Sequence, residues 1–95
     1  MRVLGIEVLD KAVRAHRELA RPVAAWLTIA RDANWKSLNE LRQTWRNTDC
    51  AKGQTIFNVK GNKYRLIAFV NYSSQTIIVK HLITHAEYSE REWNK

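Results

Sequence analysis

Arg65, His85 and Tyr88 are the residues of this chain best suited to chemistry. An imidazole and a phenol move protons, and a guanidinium grips a phosphate at two oxygens. The run Thr84-His85-Ala86-Glu87-Tyr88 turns a strand-like segment into a helix start. Thr84 as N-cap and Glu87 three residues on form a capping box. His85 is then the first helical residue, and Tyr88 lies one turn later on the same face. Both sit near a helix end that attracts anions. Arg65 opens a strand that otherwise reads as buried, so its charge needs a sheet edge or a partner.

Cations surround these residues. Between Asp49 and Glu87 there is no Asp or Glu, yet the stretch holds Lys52, Lys60, Lys63, Arg65, Lys80, His81 and His85. Lys60 and Lys63 flank a turn, and with Lys52 and Lys80 they suit a rim that tracks phosphates. Lys80 alternates with Ile78 and Leu82, which predicts that it shares a face with Thr84. Plainer readings stand beside these. The Thr84–Tyr88 run also fits a simple helix cap with a packing Tyr. Arg65 also fits a pair with a distant carboxylate such as Asp49 or Glu87. Turn lysines are commonly solvated, and strands avoid carboxylates in any case.

An acid-free basic surface ending at a His and a Tyr suits a polyanion. No Gly-rich phosphate loop is present. His81 and His85 are spaced as a zinc pair is, but no third ligand accompanies them. A magnesium nuclease needs clustered carboxylates, and the basic half has none. Phosphodiester cleavage here is therefore expected to need no metal and no cofactor. That favours RNA, whose ribose 2′-OH supplies the nucleophile internally. The protein then contributes a proton acceptor, a proton donor and cations over the phosphate.

The elements that must position these groups follow from periodicity. Arg2 to Ile6 fits a short strand. Glu7 to Arg17 carries Leu9, Ala12, Val13 and His16 at helical spacing, with His16 expected to be partly buried. Pro22 suits the first turn of a second helix. Val23, Trp26, Leu27 and Ala30 give that helix one apolar stripe. Ser37-Leu38-Asn39-Glu40 is a capping box for a short third helix bearing Leu38, Leu41 and Trp45. Asn47 to Gly53 reads as a loop. Thr55 to Val59 is β-rich, and Lys60-Gly61-Asn62-Lys63 reads as a type II′ hairpin turn with Gly61 at positive φ. Tyr64 to Tyr72 is apolar on both alternations, as in a central strand. Ser73 to Gln75 is a turn, and Thr76 to Ile83 a third strand. An α+β fold is expected, with helices on one sheet face and the other face free and basic.

Composition bounds the partners. The 95 residues predict one domain, and 45% hydrophobic residues are ordinary for a globular chain. The net charge of +7 favours an anionic partner. Cys50 is the sole cysteine, which excludes an internal disulfide and reads as a small semi-buried residue in an intracellular protein. Glu7 and Asp10 interrupt any signal-peptide core, and no apolar run approaches a membrane span. A cytoplasmic protein with no membrane partner is expected.

Two motifs carry a family resemblance. Phe57-Asn58-Val59-Lys60-Gly61-Asn62-Lys63-Tyr64-Arg65-Leu66 and the later Thr84-His85-Ala86-Glu87-Tyr88 resemble the HigB toxins of bacterial toxin–antitoxin systems. Asn34-Trp35-Lys36-Ser37 is also typical of that family, and the likeness covers almost the whole chain, 1–95, as one toxin domain. The resemblance implies a RelE-like α+β fold: an N-terminal strand and a two-helix hairpin packed on a mostly antiparallel sheet, with a short C-terminal helix. It implies an mRNA interferase that cuts messages in the 70S ribosome A site and leaves a 2′,3′-cyclic phosphate and a 5′-hydroxyl. A cognate HigA-type helix-turn-helix antitoxin would hold it inactive, and operator DNA would be met only through that complex.

By the same resemblance, Arg65 matches the strand Arg that steadies the scissile phosphate. Tyr88 matches the Tyr implicated in stacking or proton transfer, and His85 the His beside it, a general acid or base. Lys60 falls where relatives keep a basic residue, and Lys80 is a looser match to a late-strand cation. Lys52, Lys63 and Thr84 complete the expected RNA-binding set. Ile83 stands where relatives commonly have Gly, and Ser89 where they often have an acid. A rival reading from another class is a basic module that binds RNA or the ribosome without cutting. A third is a toxin scaffold that keeps only its antitoxin.

Overall fold

The computed structural model describes residues 1–90 of the chain. Strand β1 (Arg2–Leu4) is followed by α1 (Ile6–Ala15), a 3₁₀ turn (Arg17–Leu19), α2 (Ala20–Asp32) and α3 (Leu38–Thr44). Strands β2 (Asp49–Ala51), β3 (Gln54–Val59), β4 (Tyr64–Asn71) and β5 (Thr76–Thr84) come next, and α4 (His85–Glu90) closes the described chain. The sheet order is β1-β5-β4-β3-β2. Among the described strands only β1 runs parallel, against Thr76–Ile78 of β5. The architecture is the expected α+β one.

Local chemistry explains most boundaries. Gly5 ends β1 two residues earlier than the pattern suggested. It holds φ +86°, and a Cβ there would meet the Val79 carbonyl oxygen at 2.5 Å. A chain that must turn this close to β5 has room only for glycine. Helix α1 stops at Ala15, so His16 follows the helix rather than riding on it. Ser37 accepts from the Glu40 N–H at 3.3 Å, and the Glu40 carboxylate reaches back to the Lys36 N–H. The Met1 amino group donates to the carbonyls of Ala30, Arg31 and Ala33, satisfying the end of α2.

The core lies between the helices and one sheet face. Phe57, Leu66, Ala68, Ile77 and Val79 meet Leu9, Val23, Trp26, Ala30 and Leu41 there. Trp26 and Trp45 stack at 5.8 Å, and the Phe57 ring stands edge-on to both. Such pairs add to area burial because ring edges and faces carry opposite partial charge.

Three expectations need correction. The Asn47–Gly53 loop contains strand β2, which pairs with β3 through Asp49↔Ile56 and Ala51↔Gln54. Its three residues are too few to show a period. The second sheet face is not free and basic: Ile56 and Ile67 are only 2% and 0% exposed there. Cys50 is exposed, not semi-buried.

Replacing Gly5 by Ala forces a side chain into left-handed backbone and against β5. The strain alone is worth about 1–2 kcal/mol, and the Val79 contact adds to it. Denaturant unfolding of G5A is expected to show a lower midpoint with an unchanged slope. A midpoint equal to the parent's would contradict the geometry.

Candidate active site

The β3–β4 hairpin and the start of α4 share one corner of the sheet. Gly61 takes φ +66° as expected, and Lys60 also takes a positive φ of +54°. The turn is closed by the Lys63 N–H donating to the Lys60 carbonyl at 3.4 Å. The Lys63 carbonyl in turn accepts from the His85 N–H at 2.9 Å. That bond ties the first residue of α4 to the hairpin tip. Thr84 and Glu87 exchange bonds as a reciprocal capping box, at 3.1 and 2.9 Å. Thr84 is thus occupied as a cap.

Arg65 lies beneath this corner. Its neighbours in sequence, Tyr64 and Leu66, face the helices, so its own side chain faces the other way. The residue is 8% exposed. One terminal nitrogen donates to the carbonyls of Asn62 and Tyr64, both at 3.2 Å, and the other donates to Asn62 Oδ1 at 2.9 Å. All three acceptors are neutral. Among the described residues no carboxylate pairs with it, so neither Asp49 nor Glu87 plays that part. The Tyr88 ring lies over the guanidinium, 5.5 Å from its centre to the charge. Tyr88 therefore brings α4 onto Arg65, and His85 rides one turn before it with its side chain exposed.

Lys60 is arranged differently. Its Nζ pairs with Glu18 Oε2 at 3.2 Å, and the Tyr64 hydroxyl donates to the other Glu18 oxygen at 2.9 Å. Tyr64 faces the helices, so Lys60 leans to the side opposite Arg65. His16 packs its ring on Tyr64 at 5.3 Å. Hydrogen bonds from Tyr64 and then Lys60 hold the Glu18 carboxyl below its ordinary pKa. Burial, and next the Glu18 bond, push the Tyr64 phenol up.

The remaining lysines disperse. Lys63 stays at the exposed hairpin tip. Lys52 turns the chain between β2 and β3, at the end of β3 away from the hairpin. A six-residue strand separates the two ends, about 20 Å. Lys80 sits on a β-bulge: Ile67 faces His81 and Ala68 faces Val79, leaving Lys80 without an opposite number. The extra residue resets the alternation, so Lys80 does not share one face with both Ile78 and Leu82. It lines a cleft of about 420 Å³ between α1 and β5, with Lys11, His16 and Glu87.

The structure thus brings Arg65, Tyr88, His85 and the Lys63 backbone to one corner, and turns the Lys60 side chain away from it toward Glu18. It does not bring Lys52 or Lys80 there. Sequence reasoning passed over Asn62 and Glu18. Asn62 lies three residues before Arg65 in a turn, a readable spacing. Glu18 is 42 residues from Lys60, and no local pattern marks it.

The fold on which this corner is built is α+β, with helices packed on one face of a five-stranded, mostly antiparallel sheet. Residues 19–91 match the HigB toxin family, the RelE-like toxic component of a toxin–antitoxin system. The chain belongs to that family. It is also 24% identical to the mRNA interferase HigB of Escherichia coli O6:H1, over 95% of this chain and 90% of that protein.

The Glu18 bond supports only the protonated form of Tyr64, so its help is present below the ordinary tyrosine pKa and lost as pH rises past the raised one. The depressed Glu18 acts in the opposite sense, and its contribution fades as pH falls through its own lowered pKa. Glu18→Gln is expected to move the Tyr64 titration down but not to the ordinary tyrosine value, because burial is the larger cause. Ring-carbon NMR through an alkaline titration reads this directly. No movement would show that the two groups are not coupled.

Proposed function

We propose that this chain is the toxin of a toxin–antitoxin pair and an endoribonuclease that cleaves mRNA. The observation that carries the reading is Arg65. A buried guanidinium whose acceptors among the described residues are all neutral keeps its attraction for an anion, and it lies under the ring of a residue one turn from an exposed imidazole. Family membership and the mRNA interferase activity named for the E. coli relative support the same reading.

The chemistry follows from RNA itself. The ribose 2′-oxygen attacks phosphorus, a 2′-O–P bond forms, and the P–O5′ bond breaks. His85 serves as the proton-transfer residue, removing the 2′-OH proton or supplying one to the departing 5′-oxygen. Arg65 holds the extra negative charge on the phosphoryl oxygens, the largest single contribution in many such reactions. Tyr88 stacks on a base or shares the proton. Lys63, and Lys60 once it exchanges Glu18 for a phosphate, draw the strand in. An exposed ion pair of this kind is worth little, so the exchange costs little. The products are a 2′,3′-cyclic phosphate and a 5′-hydroxyl. We further place the reaction on messages in the ribosomal A site, in the cytoplasm. A HigA-type antitoxin with a helix-turn-helix is its regulator and carries the complex to operator DNA.

Induction in growing cells tests this. The parent is expected to arrest growth and to produce RNA ends bearing 5′-hydroxyls. Arg65→Ala is expected to lower cleavage by about 100- to 1000-fold, and His85→Gln to slow it without abolishing RNA binding. Both variants arresting cells as fast as the parent would remove the site assignment. Salt-sensitive RNA binding by the parent, with no cut even on translating ribosomes, would favour the non-catalytic module instead.

A further inference from the structure

A second polar cleft adjoins the Arg65 corner. It holds about 270 Å³ and is lined by Trp45, Arg46, Asn47, Thr48, Asn58 and Gly61, among others. It touches the corner from two directions. Asn58 is the cross-strand partner of Arg65, and Gly61 precedes the Asn62 that grips the guanidinium. Cross-strand partners are only about 5 Å apart at Cα.

We propose that this cleft is a base-binding subsite that takes one nucleobase beside the RNA linkage held at Arg65, with Arg46 and Asn58 reading its edge. The inference rests on the ribonuclease reading and deepens it. Single-stranded RNA is recognised by splaying a base out and bonding its exposed edge. The groups here suit that task. Arg46 brings a fork of donors for base-edge acceptors, and the Asn58 amide both donates and accepts. Asn58 is exposed, and its one bond among the described residues is a long 3.5 Å contact to the Asn47 carbonyl. A base displaces such a bond easily. No carboxylate lines the cleft to repel a phosphate close by. Its volume suits a single heterocycle, below the range of larger organic ligands.

The wall is fixed before RNA arrives. Thr48 is 4% exposed, and its hydroxyl donates to the Trp45 carbonyl at 2.7 Å. Arg42 Nε donates to the Thr48 carbonyl at 3.1 Å. Trp45 is clamped by Trp35 at 4.9 Å and Phe57 at 5.0 Å. A rigid wall fixes the depth and outline of the cleft, so that a base entering it presents its edge to Arg46 and Asn58 in a set orientation.

Genome-wide mapping of RNA ends after induction tests the subsite, using the parent chain, Arg46→Ala, Asn58→Ala and Asn58→Asp. Both positions are exposed, and thermal melting checks that each variant folds. The parent is expected to favour particular bases at one position next to its cuts. One good base-edge contact is worth about tenfold in preference. Both Ala variants should still cut, with that preference falling toward parity. Asn58→Asp, which keeps the shape but can no longer donate, should change which base is preferred; because it sets a carboxylate across from Arg65, slower cutting by this one variant is also expected and only its base preference is read. Base frequencies identical to the parent's at every position would overturn the inference while leaving the ribonuclease intact. So would a parent with no preference beside its cuts, or loss of all cutting in well-folded variants, which would put these residues in the chemistry itself. A parent that cuts nothing would overturn the ribonuclease reading, and the subsite with it.

Discussion

A guanidinium that is almost out of water and, among the described residues, has no counter-ion is the constraint around which this molecule is arranged. Desolvating a charge is expensive, and an arginine cannot escape by losing its proton. Arg65 meets part of that cost with bonds to Asn62 and Tyr64, which restore hydrogen bonding but leave the charge unbalanced. The Tyr88 ring adds the negative face of an aromatic system. A salt bridge would have stabilised the fold more and would have spent the attraction internally. The central position of β4 makes the arrangement sustainable. Strands on both sides hold the Arg65 backbone, and the hairpin turn holds its acceptors.

The same sheet sorts the cations into two groups with different duties. Arg65 faces the α4 side, while Lys60 leans to the helix side and is held by Glu18. Glu18 and Tyr64 form a small polar cluster beside the core, and the lysine it holds is only partly covered. A partly exposed pair can open for a competing anion, and a buried cation cannot move. The sheet therefore carries one fixed charge at Arg65 and a movable one at Lys60. This division follows from strand alternation and the turn at Gly61, not from the number of lysines.

Local signals were legible in the sequence. Both capping boxes read correctly because a cap involves residues three apart. The hairpin read correctly because Gly61 sits between two clear strands, and Arg65 stood out as a charge in an apolar run. Failures occurred where the deciding partner was distant or the period broke. The bulge at Lys80 shifts the alternation by one, and nothing in Ile78 to Leu82 announces it. Strand β2 exists because β3 offers it an edge, and its own three residues have little preference. A loop at Asn47–Gly53 would leave Lys52 free to join the other cations; strand β2 instead fixes Lys52 at the end of β3 away from the hairpin. The pairing of Lys60 with Glu18 depends on how the 3₁₀ turn packs against the hairpin, which is a tertiary fact.

The parallel contact between Arg2–Leu4 and Thr76–Ile78 bears on how such a protein can be made safely. Translation adds about 5–20 residues per second, so the first strand waits several seconds for its mate. Until β5 has left the exit tunnel, β4 lacks one neighbour and α4 has not been delivered over the guanidinium. A nascent chain still attached to its own ribosome thus carries an unfinished corner. Order of synthesis alone delays its maturation until β5 and α4 have both emerged.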